Sequence, residues 1–151
     1  MKMRFRDPMQ EKTHEIEDDD LPPAKKKVLI LDDDENLTDL LREFLEASDY
    51  QVATVSTGVD GIKKVMNESF DAVVCDMMMP HMPGDMFYKA VERTKPGLCK
   101  RVIFMTGHKG NPKIDEFIRS VKGLMLWKPF EMHMLLEALK GVVAKQERAS
   151  Q

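Results

Sequence analysis

Short apolar runs alternating with amphipathic stretches predict a three-layer α/β sandwich built on a parallel sheet. VLIL, and DAVVC and RVIFM after their charged first residues, are continuous apolar runs of strand length, as strands covered on both faces require, and each is followed by apolar residues at helical spacing. A further observation concerns chemistry: Asp32-Asp33, Asp76, Thr106 and Lys128 each stand where such a run ends. In a parallel sheet with helical crossovers all strands point their carboxyl ends at one edge, so residues distant in sequence converge there.

The elements follow in order. Residues 1–26 are charged, lack apolar periodicity and reach Pro22-Pro23 before a run of lysines, so a mobile tail is expected there. VLIL is the first strand, and Leu37, Leu40, Leu41, Phe44 and Leu45 then share one helical face. QVATV is the second strand, with Thr57 suited to cap a helix carrying Ile62, Val65 and Met66. DAVVC is the third, followed by a loop rich in Met and Pro and a helix from about 85 to 94 with Met86, Phe87, Ala90 and Val91. RVIFM is the fourth; Asn111-Pro112 reads as N-cap and first residue of a helix holding Ile114, Phe117, Ile118 and Val121. GLMLW is the fifth, and the last helix begins near Glu131 with Leu135, Leu136, Leu139, Val142 and Val143 before a polar end at 146–151. Five strands and five helices, no internal repeat and right-handed crossovers favour a flavodoxin-like sheet of order 2-1-3-4-5, whose crevice opens between the first and third strands. The domain is expected to span residues 27–145.

Composition narrows the function. A net charge of −3 offers no basic face for phosphate neutralisation, so direct nucleic-acid binding is not expected. No apolar run reaches the length of a membrane span and no signal-like segment opens the chain, so a soluble cytoplasmic protein without membrane insertion is expected. Cys75 and Cys99 lack metal-ligand spacing and read as free thiols, Cys75 buried in its strand.

At the sheet edge, three carboxylates would share a pocket with one hydroxyl and one ammonium. Like charges so close raise one another's pKa unless a cation sits among them, and oxygen-only ligation suits a hard ion such as Mg²⁺. Helix capping alone would account for one aspartate after the first strand, and Asp34 suffices for that; Asp32 and Asp33 exceed it. A lone strand-end Asp is usually a cap or turn residue, so only convergence makes Asp76 a nucleophile or a third metal ligand. Thr106 and Lys128 would supply a hydroxyl and a compact cation to phosphoryl oxygens, and Gly107 keeps the approach open. Carboxylate attack on a phosphoryl donor gives an acyl phosphate.

The segments VLILDDDE, DAVVCDMMMPHMPG, VIFMTG and LWKPF, with Thr106 placed 30 residues and Lys128 placed 52 residues after Asp76, resemble the response-regulator receiver domain of two-component signalling. The likeness extends to stand-alone chemotaxis-type regulators and to receivers of hybrid histidine kinases. It implies that Asp76 accepts a phosphoryl group from a phosphohistidine on a histidine kinase or phosphotransfer protein. It implies also that Asp32, Asp33, Asp76 and the backbone carbonyl of Met78 hold Mg²⁺, with Asp33 the more direct ligand of the first pair, and that Thr106 and Lys128 contact the phosphoryl group. Pro129 matches a proline preceded by a cis bond, and Pro80 and Gly84 match the loop after the phosphoacceptor. Met78 and His108 match positions that tune phosphoryl lifetime in the family.

One position departs from the pattern. The aromatic residue often found three positions before the lysine is Met125 here; Trp127, on the same side of the strand, either substitutes as a reporter or packs under the last helix. Few residues follow the last helix, so a stand-alone receiver is expected, read by a downstream partner protein through the last two helices and fifth strand, with a homodimer on phosphorylation compatible with the family. Its chemistry would be that of a signalling phosphoacceptor and not of an enzyme. A phosphorylation-independent interaction module is the alternative. A metal-dependent phosphohydrolase would want a second acid or base beside Asp76, which DMMMP lacks.

Overall fold

The computed structural model describes residues 24–107 and 110–150, with side chains up to residue 145. Most of the expected tail and His108 lie outside the described residues. The elements run β1 Lys26–Leu31, α1 Glu35–Ala47, β2 Tyr50–Val55, α2 Gly58–Asn67, β3 Ala72–Asp76, α3 Gly84–Thr94, α4 Pro96–Cys99, β4 Val102–Thr106, α5 Pro112–Val121, β5 Leu124–Trp127 and α6 Met132–Ser150. All neighbouring strands pair in parallel, in the order β2-β1-β3-β4-β5. The predicted sheet order and three-layer architecture are those observed.

Strand alternation divides the core in two. Leu29, Leu31, Val73, Cys75 and Phe104 point to one face, where they pack with Val65, Phe87, Val91 and Ile114 from α2, α3 and α5. Val28, Ile30, Val74, Ile103 and Met105 point to the other, against Leu41 and Leu45 of α1 and Leu135 and Leu139 of α6. The continuous apolar strand runs are thus explained by burial on both faces. On the first face, Tyr88, Phe104 and Phe117 form a ring cluster with centroids 5.5 to 5.9 Å apart, the tilted and edge-on geometry that aromatic quadrupoles favour. Both cysteines are free and buried, and burial pushes their thiols above the ordinary value.

The helix starts obey local chemistry. Asp34 Oδ1 accepts from the Leu37 N–H, Thr57 Oγ1 from Asp60, and Asn111 Oδ1 from Lys113 and Ile114 ahead of Pro112. Asp34 alone caps α1, which leaves Asp32 and Asp33 for other work. Two features depart from expectation. Among the described residues a sixth helix, the single turn α4, follows Lys95; four residues carry no helical periodicity, so it was not predicted. β1 starts two residues before VLIL, because Lys26 and Lys27 extend the ladder opposite Tyr50 and Gln51.

At the amino edge of the sheet, Glu68 at the end of α2 receives Lys27 from β1 at 2.5 Å and Lys64 from its own helix at 2.9 Å. The hydrogen bonds from Lys27 and Lys64 hold its carboxyl down at about 2, from an ordinary value of 4.5. A lowered carboxylate contributes stability above its unfolded value and loses it as pH falls through the folded one. Glu68→Gln is therefore expected to be less stable than wild type in urea unfolding at pH 6, with the gap closing between pH 4.5 and pH 2.

Candidate functional site

Four strands deliver the polar residues to one edge. Asp32 follows β1 directly, its N–H bonded to the Val55 carbonyl at 3.2 Å, and its carboxylate is almost fully buried. Asp32 Oδ1 accepts from the Asp34 N–H at 2.9 Å, a local turn that aims the other oxygen over the sheet edge. Asp76 is the last residue of β3 and is 5 % exposed. Thr106 ends β4 and is fully buried, and its carbonyl accepts from the Lys128 N–H at 2.7 Å. That bond carries the β4–β5 ladder one residue further and sets Lys128 over the acids. The Lys128–Pro129 peptide bond is cis.

Lys128 Nζ lies 2.7 Å from Asp32 Oδ2 and 3.5 Å from Asp76 Oδ2. One ammonium thus bridges carboxylates from the first and third strands. Carboxylate oxygens of Asp32, Asp33 and Asp76 all lie within 4.8 Å of one another, Asp33 being the exposed member. With Lys128 counted, the ionised cluster keeps two uncompensated negative charges.

The titrations follow from that imbalance. Burial, and then the neighbouring Asp32 carboxylate, raise the Asp76 pKa against the opposing pull of the Met78 N–H and Lys128. For Lys128, burial disfavours the charge, but the hydrogen bond to Asp32 and the Asp76 carboxylate outweigh it and hold the ammonium above its ordinary value. An all-oxygen cluster, short of two positive charges and open on the Asp33 side, fits a hard divalent cation.

The loop after Asp76 completes the site. Met78 N–H donates to Asp76 Oδ1 at 3.1 Å, fixing one carboxylate oxygen and leaving the other toward Lys128. Met77 and Met79 are buried while Met78 is 44 % exposed and borders a depression shared with Pro83, Asp85, Asn111 and Ile114. A concavity of about 590 Å³ opens from Asp32 and runs between α1 and α2 past Ser56, Asp60 and Lys64.

Every predicted site residue among those described therefore stands at this edge. Met125 and Trp127 do share one side of β5, where they line a depression of about 190 Å³ with Asp115, Ile118 and Arg119 of α5. Packing of Trp127 under the last helix is not what is found: Leu126, the alternate residue, takes that side. Sequence reasoning passed over Gly58 and gave no separate role to Met82, although Met82 packs on Gly58 beside the loop.

Residues 28–140 match the response regulator receiver domain. The chain is 31% identical to the alkaline phosphatase synthesis transcriptional regulatory protein PhoP of Bacillus subtilis, over 80% of this chain and 49% of that protein. It is 28% identical to the transcriptional regulatory protein GlrR of Escherichia coli, over 80% of this chain and 27% of that protein. The chain thus spans about a quarter to a half of the length of these curated relatives. Among solved structures, a response regulator receiver domain protein (CheY-like) from Methanospirillum hungatei superposes with a TM-score of 0.77 at 28% identity, covering 83% of this chain and 98% of that one.

A carboxylate with a raised folded pKa contributes stability below its unfolded value and loses it as pH rises through the folded one. Asp76→Asn keeps an acceptor for the Met78 N–H and removes that loss. Without divalent cations, the Asn variant is expected to exceed wild type at pH 7 by about 1 kcal/mol in chemical unfolding, the usual scale of a single-site effect, and to lose the advantage below pH 4.

Proposed function

Because the chain belongs to the response regulator receiver domain family of two-component signalling, we propose that Asp76 accepts a phosphoryl group from a phosphohistidine on a histidine kinase or phosphotransfer protein. Asp32, Asp33, Asp76 and the Met78 carbonyl hold Mg²⁺ in this reading, and Thr106 and Lys128 contact the transferred group. The observation that supports it best is the single ammonium of Lys128, within 2.7 Å of Asp32 and 3.5 Å of Asp76. A cation already bridging two strands can exchange one carboxylate oxygen for a phosphoryl oxygen with little movement.

The Asp76 oxygen not engaged by Met78 N–H forms the new O–P bond as the P–N bond of the donor breaks, and the imidazole leaves with the electron pair and takes a proton. Lys128 stabilises charge on the phosphoryl oxygens, and Thr106, at the adjacent strand end, donates its hydroxyl to them. Bound Mg²⁺ supplies neutralisation of the remaining negative charge. In this reading Met78, exposed two residues after Asp76, limits the approach of water to the acyl phosphate.

The product shifts a two-state equilibrium that a partner protein reads on the face formed by α5, β5 and α6. Trp127 and Met125 lie on that face and take the place of an aromatic switch three residues before Lys128. The protein is a signalling phosphoacceptor whose domain covers residues 27–145. Among the described residues no helix is long and apolar enough to cross a membrane.

Intact-mass spectrometry after incubation with acetyl phosphate tests the reading. Wild type is expected to gain one phosphoryl group only when Mg²⁺ is present, and Asp76→Asn none. Absence of an adduct, where a control receiver is modified, would replace this reading with a phosphorylation-independent interaction module.

A further inference from the structure

The loop between Asp76 and α3 carries the carbonyl assigned to the metal, and a pair of glycine contacts adds to the bonds from Met77 and Met78 N–H that hold it. At its start, Gly84 N–H donates to the Met77 carbonyl at 3.1 Å. A methyl group added at Gly84 would lie 3.0 Å from Met77 Cα and 3.1 Å from the Asp76 carbonyl oxygen, so backbone meets backbone there. At its crest, Met82 rests on Gly58, the first residue of α2. A methyl group at Gly58 would lie 2.6 Å from Met82 Sδ and 2.7 Å from its Cβ and Cγ.

The second contact has a specific consequence. The Met82 Cβ is placed by the backbone, so no rotamer of Met82 relieves a clash at 2.7 Å; the backbone of the loop or of the β2–α2 turn must move. The segment between the two contacts has little slack to absorb that shift. Pro80 and Pro83 fix their own φ, Met82 N–H closes on the Pro80 carbonyl at 2.7 Å, and His81 already sits at φ 67°. Met77 and Met79 are locked in the core, and of the three consecutive methionines only Met78 faces outward, as do Pro80 and His81 at the tip.

We infer that Met82, seated on Gly58, is a positioning residue that fixes the height of the phosphoacceptor loop and thereby sets the divalent-metal affinity of the acid cluster. The inference rests on the phosphoacceptor reading above. It links the β2–α2 turn, which contributes no ligand, to the Met78 carbonyl through one side chain. The contact acts on geometry and leaves the three carboxylates and Lys128 chemically unchanged.

The test is the Mg²⁺ dissociation constant, measured by calorimetry well below the melting temperature, for wild type, Gly58→Ala, Met82→Gly and the double variant. Gly58→Ala is expected to weaken Mg²⁺ binding about tenfold, the scale seen when outer-sphere support of a metal ligand is lost. In the Met82→Gly background the clash partner is gone, so Gly58→Ala is expected to change affinity less than about twofold, a non-additivity that a general loss of stability would not produce. Equal affinity in Gly58→Ala and wild type, or an equal loss in both backgrounds, overturns the inference while leaving the site reading in place. A wild-type protein that binds no Mg²⁺ overturns the site reading and the inference with it. Should Gly58→Ala not fold, Met82→Ala, which creates no clash but frees the loop from α2, is expected to bind Mg²⁺ several-fold more weakly; unchanged affinity overturns the inference.

Discussion

Two buried carboxylates on adjacent strands share one ammonium, and much of the site's geometry serves that arrangement. Asp32 and Asp76 repel each other in a setting with little water, and Lys128 is held within hydrogen-bond reach of Asp32 to offset them. The offset is incomplete, since Asp33 adds a third carboxylate to the cluster. A fold that ends three acids at one edge accepts a local destabilisation, the expected signature of a functional site in an otherwise consistent sequence.

The rest of the molecule makes that arrangement rigid. The order β2-β1-β3-β4-β5 puts the strands bearing Asp32 and Asp76 side by side at the centre of the sheet, with Thr106 on the next strand and Lys128 on the outermost. The ladder is prolonged past the strands by Met77 N–H to the Met105 carbonyl at 2.9 Å and by Lys128 N–H to the Thr106 carbonyl at 2.7 Å. Apolar layers on both faces fix the strands that the acids terminate. Deletion of a buried ring such as Phe87 would cost about 3–5 kcal/mol, so the scaffold has strong reason to hold position while the edge carries strain.

Much of this was legible from residue order alone. Fully apolar strand runs announced a sheet covered on both faces, and Asp34, Thr57 and Asn111-Pro112 announced helix starts that the hydrogen bonds bear out. The placement of Asp32, Asp76, Thr106 and Lys128 at strand ends was enough to predict their convergence, because a parallel sheet leaves no other arrangement. What escaped prediction depends on three-dimensional contact. The single turn Pro96–Cys99 is too short to show a period, and the two lysines opening β1 belong to a strand only through their pairing with Tyr50 and Gln51. The side of β5 taken by Trp127 was narrowed by alternation to the side of Met125 but not assigned to a helix. Gly58 and Met82 lie 24 residues apart without a pattern to join them; only their packing does so.

The central claim, that Lys128 is the cation balancing an acid cluster built for one more, is tested most directly by the Mg²⁺-induced rise in melting temperature of Lys128→Met against wild type. Removal of the ammonium leaves all three carboxylates uncompensated, so the variant is predicted to melt below wild type without metal and to gain more from saturating Mg²⁺ than wild type does. A variant that melts with wild type in metal-free buffer and gains no more from Mg²⁺ would contradict the account.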